Sequence, residues 1–164
     1  MEHDLGPDPV HGLDRRLVAL DPGSAAELGA VFAAISPWAE YPYPAAALAA
    51  YFAGSTTDAP RYQIMLGKDS VGVAGVRNEW LRGPYLQFLG VFPDFQRHGL
   101  GAAVLTWFER EARASRQRNL WVAASDFNAS AIRFYERHGF VEVARLEGLV
   151  TDGHAEVLLR KQLT

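Results

Sequence analysis

The stretch from Tyr85 to Arg113 constrains the fold more than any other part of the sequence. It begins with an apolar, aromatic run, residues 85–92, that is typical of a buried strand. The segment Gln96-Arg97-His98-Gly99-Leu100-Gly101 then leads into residues whose apolar positions recur at helical spacing. A strand that passes through a Gly-rich turn into a helix predicts an anion site, because free backbone N–H groups and the helix dipole coincide there. The expected ligand is a diphosphate.

Length and composition predict one domain with an ordinary hydrophobic core. The chain has 164 residues, and 49% of them are hydrophobic. The first dozen residues carry little to bury, so we expect residues 1–12 to be flexible and residues 13–164 to form a single domain. No apolar run approaches the roughly 18 residues that span a bilayer, and no signal peptide is recognisable. We therefore expect a cytoplasmic protein with no membrane partner.

Charge and cysteine content exclude several classes of function. The formal net charge of −3 argues against nucleic acid as the main partner, because phosphate binding usually requires a basic surface. The chain has no cysteine, which excludes disulfides, thiolate metal sites and a cysteine nucleophile. No metal site is predicted.

The order of the predicted elements is β-α-α-β-β-β-α-β-α-β-β, which indicates an α/β (α+β) domain. Strands are predicted over residues 15–20, 61–66, 71–78, 85–92, 120–124, 141–146 and 156–161. Helices are predicted over residues 24–35, 45–52 and 128–138, and also directly after the Gly-rich turn.

A second motif follows the first after one predicted strand. It consists of Asn128, Ala131-Ile132, Phe134-Tyr135 and Gly139-Phe140. The two motifs and the element order together resemble the GCN5-related N-acetyltransferase (GNAT) superfamily, over about Arg15 to Lys161. Either motif alone is weak, whereas both in this order are specific. The resemblance implies the GNAT fold, a mixed, mainly antiparallel twisted sheet of six to seven strands flanked by about four helices.

The resemblance also implies an activity, the acetyl-CoA-dependent transfer of an acetyl group to a primary amine of a small molecule. In that superfamily the strand before the Gly-rich turn splays from its neighbour and pairs with the pantetheine arm, while the turn binds the pyrophosphate. The residues thereby assigned to acetyl-CoA are Leu89, Gly90, Val91, Gln96, Arg97, His98, Gly99, Leu100, Gly101, Ala102 and Asn128.

Individual roles within this set differ. Gly90 suits a β-bulge or a close backbone approach. Arg97 is expected beside a phosphate, and His98 is expected to contribute chiefly its backbone N–H. Asn128 is expected to cap a helix and to donate its amide to the cofactor.

Tyr135 is the predicted catalytic residue. Acetyl transfer from a thioester leaves a CoA thiolate, which a nearby hydroxyl can protonate. The tyrosine at this motif position has that role in many members of the superfamily. Because the chain has no cysteine, an acyl-cysteine intermediate is excluded. Direct attack of the amine in a ternary complex is the predicted mechanism.

The general base and the acceptor site are less defined. Some relatives carry a Glu early in the strand before the Gly-rich turn, but the matching position here is Tyr85. Candidate bases are Glu40, Glu79, Asp126, and Gln87 acting through water. The acceptor groove is expected to contain Trp38, Tyr41, Tyr43 and Trp80 together with Glu40 and Glu79. Aromatic walls with carboxylates suit a small cationic amine.

Three other functions stay open. A protein N-terminus or a lysine is the nearest rival acceptor, although the connection Ser125-Asp126-Phe127 disfavours the subgroup that modifies ribosomal proteins. A non-catalytic CoA-binding sensor is weakened by the presence of Tyr135. A nucleotide-dependent oxidoreductase would need a glycine where Val104 stands, and it leaves the second motif unexplained. A homodimer is also open, because dimers are frequent among similar proteins.

Overall fold

The computed structural model describes residues 1–164 and contains one eight-stranded sheet. Its strands are β1 (Glu2–Pro7), β2 (Asp14–Ala19), β3 (Arg61–Leu66), β4 (Asp69–Trp80), β5 (Gly83–Val91), β6 (Asn119–Ser125), β7 (Val141–Glu147) and β8 (Ala155–Gln162). Their order in the sheet is β1-β2-β3-β4-β5-β6-β8-β7. Only the β5–β6 pair is parallel, and every other pair is antiparallel.

Four helices accompany the sheet, as predicted. They are α1 (Ala25–Ala33), α2 (Ala45–Ala53), α3 (Leu100–Ala114) and α4 (Ala129–Arg137). None of them combines the length and the apolar composition that a bilayer crossing requires. The mixed, mainly antiparallel sheet with four helices confirms the predicted fold class, with one strand more than the upper expectation.

The additional strand comes from the N-terminal segment, and the expectation that residues 1–12 are loosely attached is wrong. β1 pairs antiparallel with β2, with His3 opposite Leu17. The turn after β1 is also fixed, because Asp8 is buried and its carboxylate accepts the backbone N–H groups of Val10 and His11. Backbone pairing and a buried carboxylate hold this segment, and neither produces a hydrophobic pattern in the sequence.

The two faces of the sheet carry separate cores. The larger core lies around α3 and includes Leu86 of β5, whereas the smaller core lies against α1 and α2 and includes Phe88. Side chains two residues apart on a regular strand share a face, so a bulge must lie between them. The register supplies it: Leu86 pairs with Val76 and Phe88 pairs with Gly75, which leaves Gln87 as the extra residue.

Candidate active site

A cavity of about 940 Å³ opens where β5 and β6 diverge. The two strands pair only at Tyr85 with Trp121 and at Leu86 with Val122. β5 nevertheless continues to Val91, so its backbone from Gln87 onward faces the cavity with no strand beside it on that side. An extended edge of this kind is where an added strand or a chain of amides can form hydrogen bonds.

Most of the predicted site residues line this one cavity. They are Trp38, Tyr41, Tyr43, Gln87, Leu89, Gly90, Val91, Gln96, Gly99, Gly101, Ala102, Asn128 and Tyr135. Seven of the predicted residues are not in the lining, namely Glu40, Glu79, Trp80, Arg97, His98, Leu100 and Asp126.

Gly90 is not the bulge, which lies at Gln87, but it does permit a close approach. An added Cβ at Gly90 would overlap the ring of Phe32 and lie 2.7 Å from the ring of Trp38. Trp38 in turn stacks on Phe88, with ring centroids 4.8 Å apart. Gly90 therefore lets Phe32 and Trp38 pack against the β5 backbone, and the rings of Trp38 and Phe88 form one wall of the cavity.

Gly90→Ala is expected to lower the free energy of unfolding by about 1–3 kcal/mol, the usual cost of adding a methyl group to a packed core. Urea unfolding measures this directly. Gly54→Ala is the matched control, because Gly54 is exposed at the end of α2 with a φ of −82°. Equal stability in the Gly90 and Gly54 variants would contradict the close packing of Phe32 against β5.

The Gly-rich turn ends in a helix start with unused donors. Gly99 is the N-cap of α3 and has a φ of 64°, a left-handed conformation that favours glycine. The backbone N–H groups of Gly99, Leu100, Gly101 and Ala102 donate to no acceptor in the protein. Gly101 lies against α4, where an added Cβ would be 3.2 Å from the Phe134 ring. Both glycines thus shape a cluster of free N–H groups beside the cavity.

Arg15, which was not among the predicted site residues, binds the carbonyl side of this turn. Its Nη1 donates to the carbonyls of His98 and Gly99 at 3.2 and 3.3 Å. Its Nε and Nη2 donate to the carbonyls of Gly6 and Leu5. Because the carbonyls of the turn are bonded to Arg15, the turn is fixed to the end of β1. No local pattern marks this contact, since Arg15 and Gly99 are 84 residues apart.

Three predictions for individual residues of the turn are corrected. Leu100 is fully buried in the larger core, so only its backbone N–H is available to a ligand. The backbone N–H of His98, which was expected to contact the ligand, donates to the Phe95 carbonyl at 3.3 Å, and its Nδ1 lies 3.4 Å from Asp8 Oδ1. Arg97 is exposed outside the cavity lining. Anion binding by this turn therefore rests on backbone donors more than on side-chain charge.

Asn128 caps α4 as predicted. Its Oδ1 accepts the N–H of Ala131 at 3.3 Å and the Ser130 hydroxyl at 3.2 Å. Its amide nitrogen has no hydrogen-bond partner in the protein, and the residue lines the cavity. The cap and a donated hydrogen bond to a ligand are therefore compatible.

Tyr135 lies on α4 and is 7% exposed, with its surface at the cavity. Its ring packs beside Phe134 and Phe140. Burial raises the pKa of the Tyr135 hydroxyl well above its ordinary value, and the neighbouring Tyr85 and Tyr41 add to this rise. The hydroxyl therefore keeps its proton at every physiological pH and is available as a proton donor.

Glu156 is the carboxylate in the cavity, although it was not among the predicted functional residues. It is the second residue of β8 and lies opposite Ser125 of β6, whose hydroxyl donates to its Oε1. The Ser125 hydroxyl also lies 2.7 Å from the Tyr41 hydroxyl. Burial raises the pKa of Glu156, while the bond from Ser125 partly opposes that rise. The available signal was one carboxylate within the apolar run Ala155–Leu159.

The carboxylates that the sequence suggested as bases lie elsewhere. Glu40 and Glu79 are exposed outside the cavity. Asp126 accepts the Ala155 N–H at 3.1 Å and pairs with His154 at 3.0 Å. The bond from Ala155 contributes most to lowering the pKa of Asp126, which makes it a weak base. Trp80 also lies outside the lining and stacks on Tyr85.

The comparisons with known proteins agree with this geometry. The model of the Acetyltransferase (GNAT) family matches residues 28–140. This is more than half of the chain, so the chain belongs to the GNAT family of acetyltransferases. It is therefore an acyltransferase.

One curated relative matches part of the chain. The ribosomal protein bS18-alanine N-acetyltransferase of Escherichia coli K12 is 36% identical over 73 residues, which cover 43% of this chain and 49% of that protein. The match thus spans about half the length of the relative. The solved structure of the Escherichia coli ribosomal-protein-S18-alanine N-acetyltransferase gives a TM-score of 0.71 at 20% identity, over 92% of this chain and 94% of that chain.

Two further solved structures share the fold. An acetyltransferase ascribed to the GNAT family from Desulfovibrio desulfuricans gives a TM-score of 0.75 at 22% identity, over 93% of this chain and 99% of that chain. A GNAT family acetyltransferase from Elizabethkingia anophelis, solved with acetyl-CoA bound, gives a TM-score of 0.58 at 14% identity, over 65% of this chain and 78% of that chain. At these identities the likeness concerns the fold.

Proposed function

We propose that this protein uses acetyl-CoA to acetylate the primary amine of a small molecule, by direct transfer in a ternary complex. The observation that carries the proposal is the set of groups that one cavity brings together. The cavity has free N–H groups of a helix start at one side, an unpaired β5 edge, and both a protonated phenol and a carboxylate within its lining. These are the groups that acetyl transfer from a CoA thioester requires.

In the proposed binding mode, the turn from Gln96 to Ala102 holds the pyrophosphate through its free backbone N–H groups, those of residues 99–102. The pantetheine arm lies along Leu89, Gly90 and Val91, whose backbone groups face the cavity. Asn128 donates its amide to the same arm. The fold shared with an acetyl-CoA-bound family member supports this placement.

In the proposed reaction the amine nitrogen attacks the thioester carbonyl, so that a C–N bond forms and the C–S bond breaks. A cationic acceptor first gives up one proton to solvent, and the neutral nitrogen then loses a second proton to Glu156 as it attacks, either directly or through water. The departing thiolate takes the proton of the Tyr135 hydroxyl. The raised pKa of Glu156 makes it a better base, and the raised pKa of Tyr135 keeps its hydroxyl protonated until the thiolate departs.

The acceptor end of the cavity favours a cationic amine with an apolar body. The rings of Tyr41 and Tyr43 are neighbours in the lining, with centroids 6.2 Å apart. The Ser125 hydroxyl contacts both the Tyr41 hydroxyl and Glu156, so it links these rings to the carboxylate. A protein N-terminus is the second candidate acceptor. The 36% identity to the bS18-alanine N-acetyltransferase favours it.

A CoA-thiol release screen separates these acceptors. The panel contains amino acids, polyamines, aminoglycosides and peptides that begin with alanine, each with acetyl-CoA. Turnover with small amines and not with peptides is expected, whereas the reverse pattern would establish the protein N-terminus. Acetyl-CoA binding without turnover on any acceptor would instead support a CoA-binding sensor. The cytoplasmic location and the homodimer stay predictions.

Gly99→Val is expected to weaken acetyl-CoA binding by tenfold or more. Valine disfavours the left-handed backbone at Gly99, so the turn must rearrange and its N–H groups lose their common direction. One hydrogen bond to a charged group is worth about 1.5–3 kcal/mol, and about 1.4 kcal/mol corresponds to tenfold. Isothermal titration with acetyl-CoA measures the change.

Gly67→Val is the matched control, because Gly67 has a φ of 58° in the β3–β4 turn and an added Cβ would meet no atom there. Both variants carry similar backbone strain, but only the Gly99 variant touches the proposed pyrophosphate site. Wild-type affinity in a folded Gly99 variant would remove the turn from the binding site.

A further inference from the structure

Three ligating side chains converge behind the Gly-rich turn, outside the cavity described above. They are Asp8 and His11 in the turn after β1 and His98 at the Gly-rich turn. Their nearest nitrogen and oxygen atoms all lie within 4.8 Å of one another. The cluster brings together residues that are about 90 positions apart in the chain, and none of the three lines the cavity.

Asp8 is the fixed member of the cluster. Its side chain is completely buried, and its two carboxylate oxygens accept the backbone N–H groups of Val10 at 3.2 Å and His11 at 2.8 Å. A carboxylate offers about four lone-pair positions, so about two remain after these bonds. The backbone bonds orient the group in the way that outer hydrogen bonds orient metal-binding carboxylates.

Both histidines direct Nδ1 at this carboxylate. His11 Nδ1 lies 3.3 Å from Oδ2, and His98 Nδ1 lies 3.4 Å from Oδ1. His98 Nδ1 is buried and forms no hydrogen bond, despite its position beside a carboxylate. Zinc bonds of about 2.0–2.1 Å in a tetrahedral site place two ligand atoms about 3.3 Å apart. The two observed separations, each to a different oxygen of Asp8, are close to this spacing, and the three ligand atoms all lie within 4.8 Å of one another.

We propose that Asp8, His11 and His98 form a binding site for a divalent transition-metal ion, of which Zn²⁺ is best matched. Two imidazole nitrogens and one carboxylate oxygen are a common zinc ligand set. The hard ions Ca²⁺ and Mg²⁺ prefer six or more oxygen ligands, which the cluster does not offer. The side chain of His11 is 60% exposed, which leaves a solvent-facing fourth position for water.

The position of the site indicates a structural role. An ion there would join the turn after β1 to the Gly-rich turn, which Arg15 already connects to the end of β1. Because the cluster is outside the cavity, the ion would not contact the reacting atoms. It would fix the Gly-rich turn, and with it the free N–H groups, from the side that faces away from the cavity.

The test is a Zn²⁺ titration of the full, tag-free chain by isothermal calorimetry, with Co²⁺ absorption spectra as a second measurement. The wild type is expected to bind one equivalent and to give the intense visible bands of a tetrahedral Co²⁺ site. His11→Asn removes a ligand from an exposed side chain and is expected to lower the affinity by more than about tenfold, since even the loss of an outer partner costs about 10–100-fold.

His154→Gln is the matched control. His154 is also exposed and lies 3.0 Å from a carboxylate, that of Asp126, but it has no second imidazole beside it. Its variant should bind Zn²⁺ like the wild type. Unchanged Zn²⁺ affinity in His11→Asn, or a wild type that binds no stoichiometric Zn²⁺, would overturn the proposal and leave a metal-free His–Asp–His contact. The readouts are independent of acetyl transfer.

Discussion

Tyr135→Phe is expected to lower turnover by about 10²–10⁴-fold, the usual contribution of a positioned general acid. The substitution removes one hydroxyl from a residue that is 7% exposed and leaves the ring contacts with Phe134 and Phe140 in place. The fold and the affinity for acetyl-CoA should therefore be retained. Steady-state CoA release with an acceptor from the screen measures the loss.

Tyr62→Phe is the matched control for this experiment. Tyr62 is 6% exposed and belongs to the same core, but it does not line the cavity. Burial raises the pKa of Tyr62 as it raises that of Tyr135. A loss of turnover in both variants would point to a general packing effect, and near-normal turnover in Tyr135→Phe would make Tyr135 a packing residue.

The pH dependence gives a second check on Tyr135. Because its pKa is raised in the folded protein, the phenol stays protonated beyond the ordinary value of about 10. If activity falls at an alkaline pH below that value, deprotonation of Tyr135 should therefore not be the cause. The wild type and the Tyr135→Phe variant should then differ in the height of the rate profile and share its shape below pH 10.

The parts of the site that the sequence predicted are those with a local signature. The turn before α3 needs glycine where the backbone is left-handed, and Gly99 stands there. The start of α4 needs a capping side chain, and Asn128 provides it. The tyrosine on α4 came from the resemblance, and the structure places it at the cavity. Short-range physics and a known motif sufficed for these residues.

The parts that were missed depend on pairing between distant segments. Glu156 reaches the cavity only because β8 pairs antiparallel with β6 and places it opposite Ser125. Arg15 reaches the Gly-rich turn because β1 and β2 form the edge of the sheet. Strand register over such separations is set by the assembled sheet, and a single sequence does not reveal it.

The bulge illustrates the same limit on a smaller scale. Gly90 was the natural candidate because glycine is common at bulges, yet the extra residue is Gln87. What decides the position is that Leu86 and Phe88 must enter different cores on opposite faces of the sheet. Gly90 is required for another reason, the approach of Phe32 and Trp38.

Glu156→Gln is expected to lower turnover by about 10²–10⁴-fold, because the proposed proton acceptor becomes an uncharged amide of nearly the same shape. Burial raises the pKa of Glu156, so the folded state disfavours its charge. Such a group contributes stability below its unfolded pKa and loses that contribution as pH rises. At neutral pH the Gln variant should therefore unfold at the same denaturant concentration as the wild type or a higher one.

Ser125→Ala distinguishes a base from a structural carboxylate. The Ser125 hydroxyl donates to Glu156 and opposes the rise of its pKa, so removing it should raise that pKa further. A base acts only above its pKa, and the acidic limb of the kcat/KM profile should therefore move to higher pH while the plateau persists. In the Glu156→Gln variant the titrating carboxylate is gone, so its contribution to the acidic limb should disappear. An acidic limb that stays in place in both variants, with turnover near that of the wild type, would exclude Glu156 as the proton acceptor.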